Sequence, residues 1–283
     1  MRIALATDTN SGILTDEAKQ LGIELINMPF AIDGELYYEG INLTPQQFYE
    51  AQAADRDITT SQPSPGDVTD LWDRLLVDHD AVIYIPMSSG LSNSCATAQM
   101  LAAEYDGKVQ VADVRRISVT QRQAVLDARR LIERGLSPEE IRIRLEENAL
   151  HSSIYVTVDT LKYLKKGGRI TPSAAAIGSV LNIKPVLQIQ GGKLDAYAKV
   201  RGMKQAAAKM LEALHNDLNG RFAGKKVKIM AAYAGDEELG ARWLSWMQEQ
   251  FPDQEICSAP LTLSIACHTG PGAIGLGCSE DEE

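Results

Sequence analysis

The chain has 283 residues, of which 45% are hydrophobic and 6% aromatic, and its 28 basic and 38 acidic residues give a formal net charge of −10. This acidic balance argues against a general surface for nucleic acid or anionic membranes. No segment approaches the roughly 18 consecutive apolar residues of a membrane span, so we expect no stable membrane insertion. Acidic side chains interrupt the first 20 residues, which excludes a signal peptide and predicts a cytoplasmic protein. The four cysteines lack metal-binding spacing and are expected to be reduced: Cys95, Cys257, Cys267 and Cys278.

The first half of the chain alternates strand and helix patterns. Strands are predicted at residues 2–7, 23–28, 81–85 and 108–113, with a hairpin signal at Asp33-Gly34. Helices are predicted to begin near Thr15, Thr44, Asp67 (capped by Ser64), Ser94, Ser118 and Ser137. Alternation of this kind predicts a three-layer α/β/α domain with a mostly parallel sheet. We place this domain at residues 1–150, ending before the polar segment at His151.

The second half has a different pattern. Strands are predicted at 154–158, 186–189, 194–199, 226–233 and 255–258, with helices at 159–164, 171–183, 203–218 and 236–250. Pro185 is expected to end the small-residue helix that begins at Thr171. These consecutive strands and helices predict a two-layer α/β domain with a mixed sheet over residues 151–283.

A hydroxyl-rich loop follows the apolar strand at 81–85. Residues 88–94 read SSGLSNS, and they lead into the helix near Ser94. In open α/β sheets ligands bind beyond the carboxyl ends of strands, where helix N-termini favour anions. The loop lacks the lysine and spacing of a triphosphate-binding loop, so a singly charged headgroup such as a carboxylate suits it better. Serines also cap helices for purely structural reasons, and Ser92 or Ser94 could serve only in that way.

Two further polar segments could converge on this loop. Residues 59–65 (TTSQPSP) form an extended, rigid segment, and residues 268–273 (HTGPGA) form a tight turn headed by a histidine. Thr60, Ser61, Ser92, Asn93, His268 and Thr269 are the candidate ligand-binding residues. Small side chains at 174–178 would leave room for an apolar cavity, and such a cavity with a few polar groups at one end suits an amphipathic acid.

Five segments together resemble the DegV family of bacterial fatty-acid-binding proteins. They are TSQPS at 60–64, SSGLS at 88–92, YLKKGGRI at 163–170, KVRG at 199–202 and HTGPG at 268–272. The resemblance implies two α/β domains with one long-chain fatty acid, such as palmitate, buried between them. It implies no catalytic residue, cofactor or metal in this chain. Members of the FakB type present the acyl chain to a separate fatty acid kinase, which makes acyl phosphate.

The resemblance also implies roles for particular residues. The carboxylate would be held by Thr60 and Ser92, with His268 beside them, and Arg201 would face the kinase. From its position, Arg169 is either a cation behind the site or a surface arginine at the start of a helix. The chain departs from the family pattern at residues 91–94 (LSNS for LSGT) and 8–12 (DTNSG for DSTxD). Asn93 would add an amide near the headgroup and suits the positive φ that a glycine would adopt.

Two other functions remain open from the residues. A small hydrolase acting on an acyl ester could use Ser92 and His268, although the GxSxG motif is absent and no acidic third member is evident. A scaffold protein would carry no ligand, and its polar loops would be structural.

Overall fold

The computed structural model describes residues 1–176 and 182–281. Their β-strands form three sheets, and α-helices pack against these sheets. The strands are β1 Ile3–Asp8, β2 Ile23–Ile26, β3 Pro29–Ile32, β4 Glu35–Tyr38, β5 Ile58–Thr60, β6 Ala81–Ile85, β7 Val109–Val111, β8 Ser152–Thr157, β9 Ile183–Ile189, β10 Asp195–Arg201, β11 Val227–Tyr233, β12 Cys257–Pro260 and β13 Ile274–Glu280. The helices are α1 Thr15–Leu21, α2 Pro45–Ala53, α3 Pro65–Leu76, α4 Ser94–Ala102, α5 Val119–Glu133, α6 Pro138–Glu147, α7 Lys162–Gly167, α8 Pro172–Ala175, α9 Gly202–Asn219, α10 Glu237–Gln250 and α11 Leu263–Thr269.

The first sheet is parallel, with strand order β2-β1-β6-β7. Its central strand β6 is apolar along its whole length because both of its faces are buried. Val82 and Tyr84 point towards the layer that contains α3 and α4, and Ile83 and Ile85 towards the opposite layer with α5 and α6. The predicted three-layer α/β/α arrangement of this part is confirmed.

A small antiparallel sheet, ordered β4-β3-β5, follows the first two strands of the chain. The predicted hairpin at Asp33-Gly34 joins β3 to β4, and both turn residues have positive φ, +51° and +86°. The segment predicted to be extended forms β5 over Ile58–Thr60 before α3 begins at Pro65 with Ser64 as its cap. Together with α2, this sheet places Thr60 beside the last helix of the chain.

The third sheet is mixed, with strand order β10-β9-β8-β13-β11-β12. Only β11 and β12 pair in parallel, and the other pairs are antiparallel. Helices α9 and α10 cover one face with an apolar core, as predicted for a two-layer arrangement. The other face turns towards the parallel sheet. Within residues 1–176 and 182–281, no helix is long and apolar enough to cross a bilayer.

Two elements of this half were not predicted. Strand β13 lies at the centre of the sheet, and helix α11 contains His268, which the sequence had placed at the head of a turn. Strand β13 contains Gly275 and Gly277, where an added Cβ would lie close to the neighbouring β8 backbone, 3.3 Å from Tyr155 O and 3.1 Å from Ser153 O.

Two predicted helices differ from the structure. Helix α7 begins at Lys162 and ends at Gly167, later than the predicted 159–164. The helix predicted over 171–183 is described only as α8, residues 177–181 lie outside the described residues, and Ile183 already belongs to β9. Pro185 therefore lies within a strand and does not end a helix. The pairing of β9 with β8 begins at the next residue, so the missing proline N–H interrupts no bond to that strand.

Candidate ligand-binding site

A cavity lies between the carboxyl ends of the parallel strands and the open face of the mixed sheet. It encloses about 990 Å³ of space free of protein atoms, including the solvent at its open end. Most of its wall is aliphatic and comes from both halves of the chain: Met28, Met87, Leu91, Ile117 and Val119 on one side, and Ile154, Val156, Leu164, Ile189, Leu194, Leu261 and Leu276 on the other. A wall of this kind suits a long apolar ligand.

The open end of the cavity is polar. Thr60, Ser61, Gln62, Ser92 and Arg169 line both the cavity and a polar cleft at its mouth. Gln62 Oε1 accepts a hydrogen bond from Thr97 Oγ1 (3.2 Å), which fixes the segment after β5 to helix α4. The cavity thus combines a polar end with a mostly apolar interior.

Thr60 and His268 form the central pair at this polar end. Thr60 Oγ1 and His268 Nε2 share a hydrogen bond of 2.9 Å across 208 residues of sequence. Burial, and secondarily the charge of Arg169, lowers the pKa of His268 to about 4. The imidazole is therefore neutral near neutral pH, and it has one N–H donor and one acceptor nitrogen.

Helix α11, which carries His268, is held by the small sheet and by α2. Glu39 Oε2 accepts a hydrogen bond from Leu263 N (2.8 Å) at the start of the helix, and Gln52 Nε2 donates to Ala266 O (3.4 Å). Burial raises the pKa of the Glu39 carboxyl to about 7, although the bond from Leu263 opposes this shift. These contacts set the position of the imidazole.

Glycines let helix α7 approach α11 closely. A Cβ at Gly167 would lie 2.2 Å from His268 Nδ1, and a Cβ at Gly270 would lie 2.4 Å from the ring of Tyr163. Gly270 also has φ +76°, which favours glycine by itself. Gly167 and Gly270 are therefore explained by the contact between the 163–170 and 268–272 segments.

The loop between β6 and α4 is held by its own hydroxyls and by two carboxylates. Ser92 Oγ accepts a hydrogen bond from Ser94 N (3.1 Å), and Ser89 Oγ donates to Asp113 Oδ2 (2.5 Å). Asp8 Oδ2 accepts from Met87 N (2.7 Å) just before the loop, and burial raises the pKa of Asp8 to about 6. The loop is thus fixed in place around the cavity mouth.

The structure places the predicted site residues as follows. Thr60, Ser61, Ser92, His268 and Thr269 all line the cavity. Asn93 lines only the outer cleft, and its φ of −76° corrects the expectation that this position suits a positive φ. Its backbone is helical because it immediately precedes the first turn of α4.

The two predicted arginines have different surroundings. Arg169 lines the cavity mouth and donates a hydrogen bond to Gly167 O. Arg201 is exposed at the end of β10, where its own N–H is bonded to Gln205 Oε1 (3.2 Å), and it does not line the cavity.

Sequence reasoning missed three polar residues of the cavity wall: Asn10, Ser118 and Ser264. Asn10 lies in a polar loop after β1, which is a weak signal for a site. Ser118 and Ser264 lie at helix starts, where serine is expected for structural reasons. Residues 1–176 and 182–281 contain no cluster of His, Cys, Asp and Glu that could hold a metal ion.

Comparison with known proteins gives consistent results over the whole chain. A protein-family model described as an uncharacterised protein of the DegV family matches residues 2–281. A DegV domain-containing protein of Deinococcus radiodurans is 31% identical over 280 residues, which are 98% of each chain. Protein DegV of Bacillus subtilis is 31% identical over 279 residues, again 98% of each.

Solved structures agree with this assignment. A DegV family protein from Thermus thermophilus, described as binding fatty acid, has a TM-score of 0.89 and 31% identity, covering 99% of this chain and 100% of that chain. DegV of Bacillus subtilis, described as a fatty acid binding protein, has a TM-score of 0.86 and 31% identity, with 99% of each chain covered. With the matched family model, these similarities establish that the chain is a member of the DegV family.

Proposed function

We propose that this protein binds one long-chain fatty acid, such as palmitate, and acts as a carrier without catalytic activity of its own. The observation that carries the proposal is the apolar cavity with the Thr60–His268 pair at its polar end. Two similar proteins, from Thermus thermophilus and Bacillus subtilis, are described as binding fatty acids. Residues 1–150 and 151–283 are taken as two domains that enclose the ligand.

The carboxylate would be bound through hydrogen bonds at the cavity mouth. If His268 Nε2 carries the proton and donates to Thr60 Oγ1, the Thr60 hydroxyl is free to donate to the ligand. Ser92 Oγ already accepts from Ser94 N, so its own hydroxyl proton is available to the same carboxylate. Ser61 and Thr269 line the cavity beside this pair, and the amide of Asn93 lines the cleft outside it.

Arg169 supplies the positive charge near this headgroup. Its charge already acts on His268, whose pKa it helps to lower. The positive charge of Arg169 disfavours a second positive charge on His268. A bound carboxylate has the opposite charge and would therefore be stabilised by Arg169.

The acyl chain would provide most of the affinity. Each buried methylene contributes about 0.8 kcal/mol, so a long chain offsets the association cost of roughly 4–15 kcal/mol. The polar end then needs only to leave no carboxylate oxygen unsatisfied. The aliphatic wall would thus bind the acyl chain, and the few polar groups at the mouth would bind the carboxylate.

We further propose that the loaded protein presents its ligand in the cytoplasm to a fatty acid kinase, which forms the acyl phosphate. Arg201 is exposed and does not line the cavity, so its side chain is accessible to a partner protein. Its guanidinium is suited to a bidentate contact with a carboxylate of the kinase.

The hydrolase alternative has no support from the site geometry. Among the described residues Ser92 Oγ is bonded to Ser94 N and His268 Nε2 to Thr60, and no hydrogen bond connects Ser92 with His268. A serine nucleophile needs its base within hydrogen-bonding distance. We therefore expect no turnover of acyl esters.

Mass spectrometry tests the proposal directly. The purified protein would be measured under native conditions and again after organic extraction, before and after incubation with palmitate. One fatty acid per chain is the expected result. A protein that stays empty after incubation would refute fatty acid binding, and an assay of acyl ester hydrolysis on the same sample would then test Ser92 and His268.

A further inference from the structure

The polar cleft at the cavity mouth, which we call the outer cleft, is lined by charges of one sign. Arg169 and Lys193 contribute two positive charges, and no Asp or Glu among the described residues lines the outer cleft. Its other lining residues are neutral polar residues, two glycines and Leu91. The chain as a whole has a net charge of −10, so this local lining is opposite in sign to the chain. A cleft of this kind attracts anions.

The two cations of the outer cleft are not neutralised by the protein. Lys193 is exposed, and its side chain makes no ion pair or hydrogen bond with any residue that the structure describes. Arg169 donates from Nη1 to Gly167 O, and its other guanidinium nitrogens have no recorded partner in the described ranges. By contrast, the nearby Lys166 pairs with Asp57 (2.6 Å). Both cations of the outer cleft are therefore available to a bound anion.

Backbone contacts hold these two cations close together. Leu194 N donates a hydrogen bond to Arg169 O (3.1 Å), and Thr171 N donates to Leu194 O (2.9 Å). Lys193 directly precedes Leu194, so the two cations lie on segments that are bonded to each other. Since both residues line the outer cleft, their side chains can contact the same anion.

The remaining wall of the outer cleft supplies neutral donors. An added Cβ at Gly90 would lie 2.7 Å from Gly192 Cα, so the loop between β6 and α4 touches the turn that carries Lys193. This loop contributes Asn93, and the segment after β5 contributes Gln62. Within residues 1–176 and 182–281, neither side-chain amide nitrogen has a recorded hydrogen bond. Amide N–H groups donate to the oxygens of an anion without adding charge.

The outer cleft is continuous with the proposed carboxylate site, because Thr60 and Ser92 line both. In an acyl phosphate, the phosphoryl group is bonded to one of the carboxylate oxygens. If these oxygens lie at Thr60 and Ser92, the phosphoryl group lies next to them. We propose that the outer cleft is a phosphoryl site, in which Lys193 and Arg169 bind the acyl phosphate that the kinase forms; this inference rests on the function proposed above.

The charge of the ligand gives Lys193 a role that palmitate does not require. A phosphoryl group carries a charge of about −1.5 to −2 near neutral pH and has three strong acceptor oxygens. Lysine binds phosphate as a point charge, and an arginine guanidinium can bind two of its oxygens. The carboxylate of palmitate has a single charge and binds within the cavity mouth. Lys193 therefore stabilises the bound product and contributes little to the affinity for palmitate.

Titration calorimetry on the full chain tests the proposal. The probes are palmitate, ATP, and a stable phosphonate analogue of palmitoyl phosphate in which a methylene replaces the bridging oxygen. Lys193→Ala should raise the Kd of the phosphonate about tenfold, which corresponds to about 1.4 kcal/mol, and should change the Kd of palmitate by less than about twofold. Added salt should weaken phosphonate binding more in the wild type than in Lys193→Ala, because the lost contact is ionic.

Two further variants serve as controls. Lys193→Arg keeps the positive charge and should bind the phosphonate within about threefold of the wild type. Lys108→Ala removes another exposed lysine, which makes no ion pair among the described residues and does not line the outer cleft. It should leave the affinity for every probe unchanged.

The outcomes separate the phosphoryl site from the function on which it rests. Unchanged phosphonate affinity in Lys193→Ala, or an equal loss of palmitate affinity, would overturn the phosphoryl site. Binding of ATP that depends on Lys193, without binding of the phosphonate, would also overturn it and identify a nucleotide phosphate as the occupant. Failure of the wild type to bind both palmitate and the phosphonate would instead remove the proposed function itself.

Discussion

Replacing Thr60 by valine removes one hydroxyl from the centre of the proposed headgroup site and preserves the shape of the side chain. Thr60 lies at the end of an edge strand, where valine is well accommodated. The substitution removes the proposed hydrogen bond to the carboxylate and also the 2.9 Å bond with His268 Nε2. We therefore expect weaker fatty acid binding without loss of the fold.

The size of the effect follows from the charge of the acceptor. A hydrogen bond to a charged group contributes about 1.5–3 kcal/mol, which corresponds to a rise in Kd of roughly 10- to 150-fold. The buried imidazole, left without its partner, moves the result towards the larger value. Thr60→Ser keeps the hydroxyl and should stay within about threefold of the wild type.

Titration calorimetry with palmitate would measure both variants, and urea denaturation would check that their free energy of unfolding is retained. The reasoning is refuted if Thr60→Val binds palmitate as tightly as the wild type does. It is also refuted if Thr60→Ser loses as much affinity as Thr60→Val, because the hydroxyl would then not be the relevant group.

Three further predictions concern other parts of the site. Gly167→Ala should weaken palmitate binding at least tenfold in the same calorimetric assay, because the added Cβ would lie 2.2 Å from His268 Nδ1 and displace the imidazole. Glu39→Gln should gain stability relative to the wild type as pH rises. The pKa of Glu39 is about 7 in the folded protein and about 4.5 in the unfolded chain, so the wild type loses up to about 3 kcal/mol of folding free energy as pH rises between these values, which urea denaturation at pH 5 and pH 8 would measure. Arg201→Ala should retain bound fatty acid but form acyl phosphate more slowly with a fatty acid kinase and ATP, because the exposed guanidinium is the proposed kinase contact.

Two of these variants have a control variant in the chain, and the third is checked by its pH dependence. Gly168→Ala introduces strain at φ +68° but meets no atom within 4 Å, so it should lower stability and leave palmitate affinity unchanged. A Glu39→Gln difference that is the same at both pH values would show that Glu39 is already ionised in the folded protein. Arg74→Ala changes an exposed arginine paired with Glu24 and should transfer normally; equal rates for Arg201→Ala and Arg74→Ala would contradict the docking role.

Local sequence patterns determined much of the fold. The uninterrupted apolar run at 81–85 predicted a fully buried strand, and β6 is buried on both faces. The Asp33-Gly34 pair predicted its hairpin, and the caps at Ser64 and Ser137 both accept the expected backbone bonds. These features depend on residues close together in sequence, so pattern and propensity are sufficient.

The segments of the site could likewise be found from the sequence, as the five DegV-like segments show. Their geometry could not. Strand β13 was missed because its two glycines, Gly275 and Gly277, weaken the strand pattern, and only the packed sheet shows how close the β8 backbone lies to both positions. Helix α11 was missed because its seven residues are held by contacts from Glu39 and Gln52, more than 200 residues earlier in the chain.

Tertiary structure also decided the chemistry of the polar groups. The charge of a histidine depends on its surroundings, and burial, with the charge of Arg169 second, lowers the pKa of His268 to about 4, so the imidazole stays neutral even in mild acid. Asn10 and Ser264 are separated by 254 residues, yet they share one hydrogen bond in the cavity wall. The physical reason is that hydrogen bonding and desolvation depend on which groups are close in space, and for distant segments only the packed fold determines that.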